Sequence, residues 1–505
     1  MKALHLCAIT FLFYFVSNAQ EIKRNDNWII GSSPSIKLSF NNPLTINLIQ
    51  PNILTMSNSC ISDTNGNLLF FSTGYYLISD DGSYMENGEH VNSPMGNILD
   101  NYYGGVSLFD QTSIILPKKG NTYYVFSTGM SDSFANNYLN QVNGAYWDVL
   151  NYSVVDMDSN NGKGKVVQKN VVLADDRRYA NTAMHAVKHA NGKDWWLVKA
   201  DCYNNRYEEY IVREDTILGP FYQQATDSTH NEFCIGGMNQ IYFNHSGTQM
   251  ASSIYGTIYN GGTSNTDFKF NRVEIYDFNR CDGKLTYKKF YETPYDTSSY
   301  PNNDYKSGIC FSPNDSLLYM SNTYTIYQID LTDTSTYNAT FITGPDTTIN
   351  QFPWYWTMAT APDGKLYVGN YGGMRKSMSY IDKPNVKGVG CDFKAQGLWQ
   401  PYTNILAPPN MPNYGLSADS ALLVGCEPVS IREFENLVMR EWHVYPNPAS
   451  TNFYIKSRKG KKKEMFNSVG QMVLSTNEDE IDVSKLAKGI YYLRCNNEVK
   501  KVVIE

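Results

Sequence analysis

Two histidines four apart, His185 and His189 in "MHAVKHANG", are the first residues whose spacing could do chemistry. On a helix that spacing holds zinc, as in H-E-x-x-H. Here the Glu is absent and the context reads as a strand, along which four residues span roughly 13 Å, too far for two ligands of one metal. His189, with Asn191 and Asp194, reads instead as the organiser of the turn before "WWLV". "DMDSNNGKG" (156–164) puts Asp156, Asp158 and Asn160 at positions 1, 3 and 5 of a calcium loop, but Asn161 stands where Gly is needed and Val167 where Glu is needed. It reads as a polar hairpin turn, as does "SDDGSYMENGE" (79–89). There is no G-x-S-x-G elbow, P-loop or dinucleotide fingerprint. No catalytic residue, metal site or cofactor is therefore assigned. What remains is aromatic: "FPWYWTMATAPDG" (352–364). Exposed Trp rings stack on sugars, because each is a flat apolar face with a polar edge. Trp354 and Trp356 share strand parity and are the candidate ligand-binding residues, with packing between sheets as the competing reading. Tyr146-Trp147 and Trp195-Trp196 read as core.

The elements that must position such residues are strands. Of 505 residues, 42% are hydrophobic and only 18% charged, with 39 Tyr and 23 Phe. Aromatic side chains suit a pleated, half-buried surface, so the chain reads as all-β. A net charge of −7 argues against a nucleic-acid partner, which needs basic surface. "MKALHLCAITFLFYFVSNAQ" opens with Lys2, then an apolar run, then Ser17-Asn18-Ala19, and reads as a signal peptide (1–19) cleaved after Ala19. No later segment approaches the roughly 20 apolar residues of a membrane span, so no transmembrane segment is expected in the mature chain. Its eight remaining cysteines show no C-x-x-C pattern and read as mostly buried thiols with one or two bridges at best.

"NGNLLFFSTG" (65–74) and "KGNTYYVFSTG" (119–129) nearly match, and weaker copies lie at 190–200, 245–256, 312–322 and 361–373. Each is a polar turn followed by an apolar run. The turn residues are Gly66, Gly120, Gly192, Gly247 and Gly364, with Asn314-Asp315 standing in for one. Spacings of about 50 to 70 residues fit one four-stranded propeller blade each. "SIKLSF" (35–40) and "ALLVGC" (421–426) could supply a seventh blade or close the ring, so seven blades are favoured over six. From Trp28 to about Gly425 the chain resembles exported propellers of the Bacteroidetes, YVTN- or WD40-like, in "CISDTNGNLLFFSTG", "YSVVDMD", "KHANGKDWWLV", "FNRCDGKL", "FSPNDSLLYMSN", "APDGKLYVGN" and "IDKPNVKGVGCDF". The resemblance implies a β-propeller over 20–425 and little about activity.

A charged stretch, 426–441, reads as a linker or short helix. "HVYPNPAS" then opens a new pattern, because two prolines deny amide donors to an ordinary central strand. "TNFYIKS", "FNSVGQMVLS", "IDVSKLAKGIYYLRCNN" and "VKKVVIE" follow as turns and strands of a small β-sandwich. This region, 442–505, resembles the type A sorting domain of the type IX secretion system. The resemblance rests on Tyr445-Pro446-Asn447-Pro448, the turn from Asn467 to Gly470, Gly489-Ile490-Tyr491, and Lys500-Lys501-Val502-Val503. Asn467 replaces the usual Asp. The resemblance implies engagement of type IX secretion machinery and a chain released or held at the outer-membrane surface. "RKGKKK" (458–463) reads as a solvated hairpin loop, with lipid or translocon contact as its alternative. The expected function is a non-enzymatic binding or adhesion module for glycan or protein. A polysaccharide hydrolase or lyase with its site on the propeller face, and a structural spacer, are the alternatives.

Overall fold

The computed structural model describes residues 21, 23–31, 35–40, 44–49, 58–92, 111–131, 147–175, 177, 179, 183–201, 206–224, 240–258, 268–292, 306–322, 324–333, 339–344, 354–419, 422, 426, 443–456, 462–495 and 498–505. The signal peptide and its cleavage point, and the linker after Cys426, lie outside these residues. The chain divides into two compact units, meeting between Cys426 and Glu427.

The described strands of the first unit form seven antiparallel sheets in chain order. Blade 1 is β1 (Asn27–Ile30), β2 (Ser35–Ser39) and β3 (Thr45–Ile49); blade 2 is β4 (Ser59–Ser62), β5 (Leu68–Ser72) and β6 (Leu77–Ser79). Blade 3 is β7 (Ser113–Pro117), β8 (Thr122–Gly129), β9 (Val149–Asp156) and β10 (Lys165–Ala174). Blade 4 is β11 (Met184–Lys188), β12 (Trp195–Asp201), β13 (Arg206–Val212) and β14 (Ile217–Gln224). Blade 5 is β15 (Ile241–Phe243), β16 (Gln249–Ile258), β17 (Phe268–Phe278) and β18 (Leu285–Glu292). Blade 6 is β19 (Lys306–Phe311), β20 (Leu317–Asn322), β21 (Ile326–Asp330) and β22 (Thr340–Thr343); blade 7 is β23 (Trp354–Thr360), β24 (Leu366–Ile381) and β25 (Phe393–Leu406).

The first strand of each blade lies beside that of the next, from β1 and β4 through to β19 and β23. Trp28 of β1 meets Tyr367 of β24 edge-on at 5.6 Å, which joins blade 7 back to blade 1. The result is a seven-bladed β-propeller. All six sequence copies fall at the turn between the first and second strands of blades 2 to 7. Their turn residues Gly66, Gly120, Gly192, Gly247, Asp315 and Gly364 all have positive φ, which explains the recurring glycine. "SIKLSF" contributes β2 of blade 1, the blade without a copy. Of "ALLVGC", only Leu422 and Cys426 are described, and neither lies in a strand.

Apolar runs are buried on both strand faces, as in the fully buried β12 (Trp195–Asp201). The first strands then present an inner edge at the axis, whose backbone groups need partners. Side-chain amides supply them. Gln111 Nε2 donates to Ile241 O (2.8 Å) and its Oε1 accepts from Ile241 N (2.9 Å). Gln240 does the same at Met358 O, Ile309 N and Met358 N, at 2.8, 2.9 and 3.2 Å. Asn410 Nδ2 donates to Ser113 O and Met184 O, at 3.0 and 2.9 Å. Asn410 belongs to the segment 407–419, which follows blade 7 and runs along the axis. Its Pro408, Pro409 and Pro412 lack N–H groups and cannot form a ladder, so it is held by scattered bonds, among them Tyr414 Oη to Ile115 O (2.7 Å) and Arg280 Nη2 to Ser417 O (2.6 Å). The disulfide Cys281–Cys426 fastens the end of this unit to the turn between β17 and β18. Cys60, Cys310 and Cys391 are buried free thiols. Burial pushes Cys60 and Cys310 up to about 12, which leaves them unreactive.

The second unit is a small sandwich. Strands β26 (His443–Tyr445), β27 (Asn452–Lys456), β28 (Lys463–Asn467), β29 (Met472–Thr476), β30 (Glu480–Asp482), β31 (Gly489–Cys495) and β32 (Glu498–Ile504) form sheets ordered β26-β27-β30 and β29-β28-β31-β32. Phe453, Met465, Ile481, Leu493 and Val502 are among its core residues. Lys463, from the run read as a solvated loop, is instead a buried residue of β28 whose ammonium pairs with Asp479. Burial of a charge demands such a partner.

Gln240→Leu keeps the volume but strands two backbone N–H groups and one carbonyl. At about 1–3 kcal/mol per stranded buried group, the loss should reach about 3 kcal/mol or more. Urea unfolding of the purified chain should show a lower midpoint; an unchanged midpoint would mean these amide bonds carry no net stability.

Candidate functional site

At one end of the axis the blades leave a pocket of about 290 Å³. Strand β11 brings His185 to it, β15 and its turn bring Tyr242 and His245, β1 brings Trp28, and the axial segment closes one side. His185 sits mid-strand in a run that is buried throughout, so its ring has no route to bulk water. It is 3% exposed, tilted against Tyr242 at 5.0 Å, and neither ring nitrogen makes a hydrogen bond. Burial pulls its pKa down to about 4, against a weaker opposite pull from the backbone of Met411 and Ala186. It is therefore a neutral imidazole at ordinary pH, with one donor and one acceptor.

His245 is set by the neighbouring blade. Asp315 occupies the left-handed position of the blade 6 turn, and its carboxylate accepts from His245 N (2.8 Å) and Ser246 N (2.9 Å). Burial would raise the Asp315 pKa, but the His245 side chain, then the Ser246 side chain and the two backbone N–H groups, outweigh it and hold the carboxyl below the usual range. His245 Nδ1 stands 3.7 Å from Asp315 Oδ1, beyond hydrogen-bond range. Asn25 donates to Pro412 O (3.4 Å), while its Oδ1 is buried without a partner. Three polar side chains with unsatisfied buried atoms thus line one pocket, beside the aromatic rings of Trp28, Tyr242 and Phe243. The lining contains no Asp, Glu, Lys or Arg.

The residues singled out by sequence fall elsewhere. Trp356 is 5% exposed, so its ring offers no open face for stacking, and core packing is where the structure puts it. The Trp354 side chain lies outside the described residues. His189 organises its turn: Asn191 N donates to its Nδ1 (3.1 Å), and Asn191 Nδ2 bonds Asp194 Oδ2 (2.9 Å). Asp156 and Asp158 hold the β9–β10 hairpin, Asp156 accepting from Asp158 N (3.0 Å) and Ser159 Oγ (2.6 Å). Among the described residues no group of three His, Cys, Asp or Glu is placed to hold a metal ion. Sequence reasoning treated His185 only as a partner for His189. The signal available was a histidine inside an otherwise apolar first strand.

A denser polar cluster lies out on the later strands of blade 4. Glu208 Oε1 accepts from Arg177 Nε (2.7 Å), and Oε2 from Tyr179 Oη (2.7 Å) and Tyr210 Oη (3.2 Å). Arg206 pairs with Asp201 (2.9 Å) and lies 3.8 Å over the Tyr222 ring. Burial, then the Glu208 charge, pushes the Tyr179 and Tyr210 pKa values well above 10. Both Glu208 oxygens are committed to donors, which suits a structural network better than an acid–base pair.

In the second unit two of the segments singled out by sequence, the one around Asn447 and β31, meet the last strand. Asn447 does with its side chain what its flanking prolines cannot: Nδ2 donates to Lys501 O (2.9 Å) and Oδ1 accepts from Val503 N (2.8 Å). Pro446 and Pro448 are exposed beside it. Tyr445 belongs to β26, and its side chain lies outside the described residues. Asn467 Oδ1 accepts from Val469 N and Gln471 N, at 3.2 and 2.9 Å, the role an Asp would play, and Gly470 takes φ +82° in that turn. Gly489 opens β31, where Tyr491 is buried and donates to Ala487 O (2.7 Å).

His185 gives stability a pH dependence. Its folded pKa is depressed, so the unfolded chain binds more protons between pH 6.5 and 4. Stability from this group is full above pH 6.5, falls as pH drops through that window, and loses no more below about 4, by about 3 kcal/mol in all. Urea midpoints measured across pH 4–7 should fall more steeply for the wild type than for His185→Phe; parallel profiles would refute a buried neutral imidazole.

Comparison with known proteins bears on the second unit. No curated protein matches the chain. Among solved structures it is similar to hydrazine synthase of Kuenenia stuttgartiensis (11% identity, covering 69% of this chain and 93% of that one, TM-score 0.37). It is also similar to a putative 6-phosphogluconolactonase of Bacteroides uniformis (13%, 94% and 100%, 0.33) and a periplasmic gluconolactonase of Pseudomonas aeruginosa (8%, 76% and 98%, 0.34). Likenesses this remote say nothing of activity. Among the described residues no helix is long and apolar enough to cross a membrane. Residues 443–505 match the family described as the secretion system C-terminal sorting domain, so this propeller carries the address of a type IX secretion cargo, bound for the cell surface or beyond.

Proposed function

We propose that this chain is a secreted or surface-held propeller that binds a glycan or protein ligand without turning it over, and that its ligand docks at the pocket on the axis. The observation that carries the reading is a pocket at the axis lined from several elements by Asn25, Trp28, His185, Tyr242, His245 and Asn413, with no charged side chain among them. Polysaccharide hydrolysis calls for a converging pair of carboxyl groups, and the pocket lining has none; lyase chemistry can run from a histidine, two of which line the pocket, and the turnover measurement below separates it from binding. The full chain applied to a glycan array and to surface-protein extracts should be retained, with no product formed from retained polysaccharide. Release of reducing or unsaturated sugar ends beyond the amount of protein present would overturn the non-enzymatic reading.

The tail provides a separate test. Asn447→Ala removes both side-chain bonds to the last strand, costing the sorting domain about 1–2 kcal/mol. Fractionation of cells producing this variant should show several-fold less chain at the surface and in the medium than wild type. Undiminished export would mean that the Asn447 clasp plays no part in recognition.

A further inference from the structure

We propose that the outer face of the sheet β29-β28-β31-β32 in the second unit is the surface by which the secretion machinery holds this chain, and that the machinery meets it with an apolar protein surface rimmed by carboxylates. This stands independently of the pocket on the propeller axis.

Register fixes the face. Residues opposite one another on adjacent strands share a side of the sheet. Met472, Phe466, Tyr492 and Lys501 are opposed in turn across the four strands, and Ile490 opposite Val503 makes the neighbouring row. The other face is the core, where Met465, Leu493 and Val502 are fully buried. The sandwich is complete without the outer rows, and such outward positions are ordinarily polar. Here they are apolar: Met472 is 58% exposed, and Ile490 and Tyr492 are 43% exposed. An exposed apolar patch with a polar rim marks an interaction surface. Two segments singled out by sequence contribute to it. In Gly489-Ile490-Tyr491 and Lys500-Lys501-Val502-Val503, the inward Tyr491 and Val502 build the core, while the outward Ile490, Lys501 and Val503 lie outside it.

Charge selects the partner. The described residues of this face and its border carry Lys462, Arg494 and Lys501 against one carboxylate, Glu464, which Arg494 (2.5 Å) and Lys462 (2.8 Å) both engage. Arg494 also lies over the Phe466 ring, 4.8 Å from its centroid. The surface is net positive and draws carboxylates. A second copy is disfavoured, because a two-fold contact would set two positive faces against each other. An anionic lipid surface would match the charge but not the backbone. The outer edge of β29 is unpaired among the described residues, and Met472–Thr476 brings no charge or proline to guard it, only a bulge at Val473. The far edge of the sheet, on β32, is taken by Asn447 and Ala449. A protein can pair an open edge with its own peptide groups, and lipid cannot.

Export and photocrosslinking in cells producing the full chain test this. Met472→Glu and Lys501→Glu, both at exposed residues, should each cut the chain at the surface and in the medium several-fold, with urea midpoints of the purified chain unchanged. Lys485→Glu makes the Lys501 charge change in the turn after β30, off this face, and should export as wild type. A photoreactive phenylalanine in place of Tyr492 should crosslink to a protein that mass spectrometry identifies as a component of the type IX machinery; the same group in place of Lys485 should not. If Met472→Glu lowers the midpoint, Lys501→Glu decides. Full export of both face variants, beside loss of export on deletion of 443–505, would overturn the face and leave the sorting role intact. Equal loss in Lys485→Glu would trace the effect to net charge and also overturn the face. A Tyr492 crosslink to a second copy of this chain, to lipid alone or to nothing would overturn the partner.

Discussion

A propeller must satisfy the inner edge of every first strand. Each such edge points at the axis, where there is no further strand to pair with and little room for water. Here Gln111, Gln240 and Asn410 meet that demand with side-chain amides, whose donor and acceptor match a peptide group one for one. Gln111 reaches from blade 3 to blade 5, and Gln240 joins blades 5, 6 and 7. The ring is thus cross-braced through its centre, in addition to the side-by-side packing of its blades.

The axial segment 407–419 follows from the same constraint. A strand there would have brought its own unpaired edge; a proline-rich segment brings fewer donors to satisfy and takes its bonds where it finds them. Its residues Pro409, Met411, Pro412, Asn413 and Gly415 form one wall of the pocket. The side chains around it are held by neighbouring structure: His185 by a first strand, His245 by Asp315 of the next blade, Asn25 by its bond to Pro412. Because each comes from a different element, the pocket depends on ring closure.

Much of the architecture was legible in the chain because turn chemistry repeats. Positive φ at the first turn of a blade demands Gly or a small polar residue, and that demand printed six copies at blade spacing. Blade 1 left no copy and could be placed only through "SIKLSF" and the rings of Trp28 and Tyr367. The tail was legible because Pro-Asn-Pro has a strong local consequence, which Asn447 answers on the last strand. The pocket was not legible. Its residues are separated by hundreds of positions and share no spacing, so only the closed ring brings Asn25, His185 and His245 together. Trp356 shows a related limit: strand parity fixes which face a ring takes, but whether that face meets solvent depends on the adjacent blade.

The Cys281–Cys426 bond has a mechanical meaning. It sits at the last residue before the sorting unit, so any pull on the tail, whether by a translocation pore or by a protease trimming it, passes into blade 5 at Cys281. The axial segment, held by scattered hydrogen bonds and by the buried side chains of Met411 and Tyr414, is shielded from that load. The bond works as a strain relief on a cable does: the label can be tugged, or cut away, without drawing the plug out of the ring.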